Sequence, residues 1–189
     1  MNLTLEQGKK LVKLARSAIF SDVVEIDGFE EKRGVFVTLN SYPSGELRGC
    51  IGFTEPIYKL KDGVVNAARH AALRDTRFMP VNSDEKVIIE VSVLTEPELI
   101  KVDDTEEYFD NIEIGKDGLI VEFEGKKGLL LPQVFLEWKA DVKKALQMTC
   151  QKAELVSDTW KNKDCKVYKF QSQIFTEKKP KGDIYEKVK

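Results

Sequence analysis

The 189-residue chain is poor in the groups that metal and acid–base sites need. It has one histidine, His70, and three widely spaced cysteines, Cys50, Cys150 and Cys165, with no CxxC pair among them. A zinc centre or a two-histidine iron site within this chain is therefore not expected, and no cofactor is implied. Three cysteines cannot all pair, which fits reduced thiols in a cytoplasmic protein better than a disulfide framework. No apolar run approaches the ~20 residues that cross a bilayer, so no membrane role is expected. The start, Met1-Asn2-Leu3-Thr4, lacks the basic and apolar regions of a signal peptide. Net charge is only −2, from 30 basic and 32 acidic residues. That balance argues against a nucleic-acid partner held through its phosphates. Gly115/Gly118 and Gly125/Gly128 fit neither phosphate-loop pattern and read as hairpin turns. The one basic cluster, Lys178-Lys179-Pro180-Lys181, is short and followed by Asp183 and Glu186, so it reads as a solvated terminus.

Apolar residues make up 42% of the chain, enough for a real core. Thr4 and Gln7 have capping-box spacing, and Leu11, Val12, Ala15, Ala18 and Ile19 follow at helical period, which predicts a helix over about 5–20. Residues 35–39 and 47–53 read as a hairpin around the turn Tyr42-Pro43-Ser44-Gly45. Leu60, Val64, Ala67, Ala68, Ala71 and Ala72 form one helical stripe whose small side chains predict very close packing. Residues 86–94 alternate with β-branched residues dominant, the pattern of a half-buried strand. Residues 112–131 read as a β-meander beginning with a strand at Ile112-Glu113-Ile114. Pro132 then opens a short helix carrying Phe135 and Trp138, and Asp141 caps another with Ala145, Leu146, Thr149, Cys150 and Ala153 on its stripe. A strand over 166–172 and a lysine-rich tail close the chain.

Hairpins and meanders mean antiparallel pairing, so the fold class is α+β. The acidic stretch from Val102 to Glu107 and the segment Val156-Ser157-Asp158 read as crossings between two lobes. A small lobe over 103–157 would then be inserted into a large one built from 1–102 and 158–189.

The most informative segment is Leu47-Arg48-Gly49-Cys50-Ile51-Gly52. Two glycines inside a strand mark a bulge or the close approach of another group. Strict alternation puts Leu47, Ile51 and Phe53 on one face and Arg48 with Cys50 on the other. A guanidinium beside a thiol favours the reactive thiolate.

This hexapeptide resembles the signature of the AMMECR family. Ala71-Ala72 followed by Asp75-Thr76-Arg77-Phe78-Met79-Pro80 resembles a second family segment, and Val91-Ser92-Val93-Leu94 a central strand. The stretches 114–121, 130–134 and 150–155 continue the likeness in order, so it covers nearly the whole chain. Asp117 stands where many members carry histidine, and no shared chemical role is assigned to it. The resemblance implies two α+β lobes, each with an antiparallel sheet, and hexapeptide side chains facing a cleft between them. It implies no settled activity.

The candidate catalytic residues are Cys50 and Arg48. Gly49, Gly52, Asp75, Arg77 and Gln133 are the candidate binding residues. Each has a plainer alternative. Cys50 can be a small apolar strand residue. Arg48 can be a structural ion-pair partner of Glu90 or Asp75. Asp75 and Arg77 can tie a turn together while Phe78 fills the core, and helix initiation alone explains Pro132 before Gln133. A Cys50–His70 dyad would give an acyl- or alkyl-transfer enzyme, but a lone helix-flank histidine is more often a packing residue. Two functions remain open: a thiol-dependent enzyme or enzyme component acting on a protein or other large substrate, and a non-catalytic module that binds a protein partner. Oligomeric state is not legible.

Overall fold

The computed structural model describes residues 3–21 and 26–187. Met1-Asn2 of the start and 188–189 of the tail lie outside the described residues. In chain order the elements are α1 (Leu5–Phe20), β1 (Val35–Ser41), β2 (Leu47–Phe53), α2 (Leu60–Leu73), β3 (Val87–Leu94), β4 (Glu98–Leu99), α3 (Tyr108–Asn111), β5 (Gly118–Phe123), β6 (Lys126–Leu130), α4 (Pro132–Glu137), α5 (Val142–Lys152), β7 (Lys166–Phe170), β8 (Ser172–Glu177) and β9 (Ile184–Glu186). The fold is α+β. Its two compact units are Met1–Thr95 with Ser172–Val188, and Glu96–Gln171. Both segments read as crossings, 102–107 and 156–158, therefore lie inside the second unit. The reason is local burial: Ile100, Tyr108 and Ile112 on either side of the acidic stretch belong to that unit's core.

The first unit is a five-stranded antiparallel sheet of order β2-β1-β3-β8-β9. Helix α1 starts where Thr4 and Gln7 complete a reciprocal capping box. Its apolar stripe and that of α2 join Val35, Val37 and Leu39 of β1 and Val87, Ile89, Val91 and Val93 of β3 in one core. Each valine, leucine or isoleucine side chain among these, removed from water, contributes about 1.5–3 kcal/mol. Both helices thus occupy one face of the sheet. The predicted alanine stripe, Ala67, Ala68, Ala71 and Ala72, is fully or almost fully buried.

The chain end differs from the expected solvated tail. Residues 172–186 form β8 and β9, with Lys178–Asp183 as the turn between them. Ile174, Phe175 and Thr176 have the β-branched and aromatic character of a strand, and Phe175 is fully buried in the first core. The strand expected over 166–172 is in fact divided at Gln171, with β7 and β8 in different sheets.

The second unit has a four-stranded antiparallel sheet of order β4-β7-β5-β6. Phe135, Leu146, Cys150 and Trp160 pack with Leu119 and Val121 of β5 and Val167 of β7. The strand expected at Ile112-Glu113-Ile114 does not form. The Asp117 carboxylate accepts the Glu113 N–H, and the Glu113 carbonyl accepts the N–H groups of Lys116 and Asp117, so the segment closes as a turn. Asp141 caps α5 as predicted, accepting from the Lys144 N–H.

Candidate functional site

Strand β2 is an edge strand, and its pairing with β1 fixes where each residue of the hexapeptide points. Val37 faces Ile51, Thr38 faces Cys50 and Leu39 faces Gly49, but Asn40 faces Leu47. Arg48 is therefore an extra residue in a β-bulge, which breaks the strict alternation read from the sequence. Gly49 shares the helix-covered face with Leu39 and Ile51. Cys50 lies on the opposite face beside Thr38, whose Oγ1 is 3.3 Å from Cys50 Sγ.

Both glycines are explained by internal packing. A Cβ at Gly49 would lie 2.2 Å from the Ala71 carbonyl oxygen of α2, and one at Gly52 would lie 2.3 Å from the Phe36 ring. The close approach foreseen at these positions is made by the protein itself.

The free edge of β2 is capped by the turn that follows α2. The Cys50 N–H donates to Asp75 Oδ2 at 2.9 Å, and Arg77 Nη2 donates to the Cys50 carbonyl at 3.3 Å. Arg77 is itself joined to Asp75 by three hydrogen bonds, the backbone N–H to Oδ1 at 3.2 Å, Nε to Oδ1 at 2.9 Å and Nη2 to Oδ2 at 2.7 Å. The pair supplies one acceptor and one donor where a neighbouring strand would have done so. Asp75 is buried, while the Arg77 side chain is 54% exposed. The Arg77 guanidinium, helped by the N–H groups of Cys50 and Arg77, holds the Asp75 carboxyl well below the usual carboxylate range despite burial. The same pairing raises Arg77.

Arg48 pairs with Glu85, through Nε to Oε1 and through Nη2 to Oε2 at 3.1 Å. Burial pushes the Glu85 carboxyl up, but Arg48 and the Asn82 N–H outweigh it and leave it lowered. Glu90 instead meets Lys187. Phe78 is half-buried, with the Arg48 and Arg77 guanidinium carbons 5.9 and 5.4 Å from its ring centre. It serves as a platform for two cations more than as a core filler. Arg48 Nη1 is buried without a hydrogen-bond partner.

The structure thus brings Cys50, Asp75 and Arg77 together, with Arg48 one step away through Phe78. Gln133 is exposed at the second position of α4, in the other unit. His70 lies on α2, on the sheet face away from the Cys50 side chain, where Arg74 and Phe53 are its neighbours. That placement removes the dyad. Thr38 and Glu85 were missed from the sequence. Thr38 is identifiable only from the strand register, and Glu85 only once the bulge is known.

The other two thiols differ sharply from Cys50. Cys150 is fully buried and Cys165 is 6% exposed. Burial pushes the Cys150 thiol up, and burial with the nearby Cys150 pushes Cys165 to about 11. Cys50 is half-exposed. Among the described residues, no group of three or more His, Cys, Asp or Glu side chains is placed to hold a metal ion, and no helix is long and apolar enough to cross a membrane.

Comparison with known proteins identifies the family and the fold. Protein MJ0810 of Methanocaldococcus jannaschii is 47% identical over 195 residues, covering 98% of this chain and 97% of its own length. Protein PH0010 of Pyrococcus horikoshii is 47% identical over 197 residues, covering 96% of this chain and 95% of its own. The crystal structure of uncharacterised protein PH0010 superposes with a TM-score of 0.78 at 45% identity, over 97% of this chain and 98% of that one. The AMMECR1 family model matches residues 6–175, and the chain belongs to that family.

Proposed function

We propose that this protein acts through Cys50, as a thiol-dependent enzyme or enzyme component working on a large substrate in the cytoplasm. One observation carries the reading: of three thiols, two are sealed in a core, and the third is half-exposed with a hydroxyl and a cation beside it. The three free thiols suit a reducing compartment.

The chemistry follows from the neighbours. Thr38 Oγ1 can donate to the sulfur, and the Arg77 guanidinium sits one peptide unit away. The sulfur would attack an electrophilic carbon of the substrate, the leaving group departing with the bonding pair and the thiol proton passing to solvent. A second nucleophile would then release the transferred group. With Nε and Nη2 held by Asp75 and the Cys50 carbonyl, the exposed Arg77 side chain would attract a substrate carboxylate through its charge and Nη1 rather than through a free bidentate fork.

The test is alkylation of the native protein with iodoacetamide, read by peptide mapping. Cys50 reacts at least about tenfold faster than Cys150 and Cys165, and Thr38→Val slows it severalfold. Equal rates at all three thiols would sink the proposal. The alternative, a non-catalytic protein-binding module, draws on the lack of a side-chain base at the Cys50 sulfur among the described residues. Under it, Cys50→Ser leaves the biological activity intact, whereas the thiol reading requires its loss.

A further inference from the structure

A second feature of the first unit lies apart from the thiol. A cavity of about 580 Å³ opens where the last turns of α1, the β1–β2 turn, the loop before β3 and the β8–β9 turn meet. Its size falls within the range of small-molecule sites, about 300–1,000 Å³. The basic cluster dismissed as a solvated terminus forms one wall, because β8 and β9 fold back into the sheet and present Lys179 and Lys181 there.

The charges in the cavity are unbalanced. Arg16 is matched by Glu177, and Glu85 by Arg48. What is left is Lys86, Lys179 and Lys181 against Asp84. Among the described residues, none of those three ammonium groups is held in an ion pair. Three cations lining one cavity against one carboxylate, in a chain of net charge −2, make a local attraction for a multiply charged anion. Arg16 adds directional character. Its Nε and Nη2 are committed to Glu177 and the Val87 carbonyl, which fixes the plane of the guanidinium. Its Nη1 has no hydrogen-bond partner among the described residues.

Two aromatic side chains complete the walls. Phe20 lies one helical turn beyond Arg16, with that guanidinium 5.5 Å from its ring centre, and Tyr42 is 41% exposed on the neighbouring turn. Lysines recognise phosphate as point charges, and aromatic faces accept a flat ring. The combination does not suit inorganic phosphate alone, which would leave both rings idle. From this juxtaposition we infer that the cavity binds a nucleoside diphosphate, its phosphates on Lys86, Lys179 and Lys181 and its base against Phe20 and Tyr42. This site does not depend on Cys50. Glu85 nevertheless links it to the hexapeptide, since Arg48 holds one of its walls in place.

The test is calorimetric titration of the full chain at low salt with ADP, adenosine and pyrophosphate. ADP binds, and adenosine and pyrophosphate each bind at least about tenfold more weakly, since each lacks one half of the recognition. The double variant Lys179→Glu with Lys181→Glu, both exposed turn residues, weakens ADP by more than about tenfold. Lys163→Glu, on the second unit, leaves ADP binding unchanged. Far-UV circular dichroism melting checks that each variant is folded. No ADP binding at millimolar concentration overturns the inference. So does pyrophosphate binding as tightly as ADP, or an unchanged affinity in the double variant.

Discussion

Replacing Gly49 by alanine probes the contact on which the position of Cys50 depends. The added Cβ would lie 2.2 Å from the Ala71 carbonyl oxygen and 3.1 Å from its carbon. Those atoms belong to the backbone of α2, so no side chain can swing aside. To restore even 3.0 Å, the oxygen must retreat by about 0.8 Å, and α2 must tilt away from the sheet. The cost spreads along the stripe of Ala67, Ala68, Ala71 and Ala72, whose short side chains cannot follow the gap. A separation of about 0.5–1 Å forfeits roughly a quarter to a half of each dispersion contact. Overpacking of this kind costs about 1–3 kcal/mol, and a clash with backbone belongs at the upper end. Gly49→Ala is therefore expected to lose about 3 kcal/mol in urea unfolding followed by far-UV circular dichroism, with the slope unchanged. Hydrogen exchange should place the loss in β1, β2 and α2. A variant within about 0.5 kcal/mol of the wild type would refute the reasoning, because a residue free to gain a methyl group is not pinned against a helix.

Other outcomes follow from the same geometry. Asp75→Asn should cost about 1–3 kcal/mol at neutral pH, by removing the carboxylate that Arg77 and the Cys50 N–H share. The Asp75 pKa is depressed in the folded protein, so this contribution is whole above the unfolded value of about 4 and fades as pH falls towards the folded one. Stability curves of wild type and variant should converge in strong acid, and a constant gap down to pH 2 would contradict the assignment. Arg16→Ala leaves the Glu177 carboxylate, only 3% exposed, with the Ile89 N–H as its remaining partner. The expected loss is about 3–5 kcal/mol in chemical denaturation, and a much smaller one would mean that water already reaches Glu177.

The sequence alone determined the elements whose signals are local. Capping chemistry at Thr4 and Asp141, the 3.6-residue stripe of α2 and the β-branched alternation of β3 each arise within a few neighbouring residues, and each element formed where that pattern placed it. The membership in a family was legible too, because its motifs are contiguous. What the hexapeptide does with its side chains was not. The bulge at Arg48 depends on how β2 registers against β1. The partners Thr38, Asp75 and Glu85 lie 12, 25 and 37 residues away from the groups they hold. The same holds for Ser172–Glu177, whose weak strand signal became a strand because β3 offered it a partner. It holds again for Lys179 and Lys181, which share a cavity with Arg16 only through that pairing. Periodicity is written residue by residue, whereas register and charge convergence exist only when distant segments share one sheet.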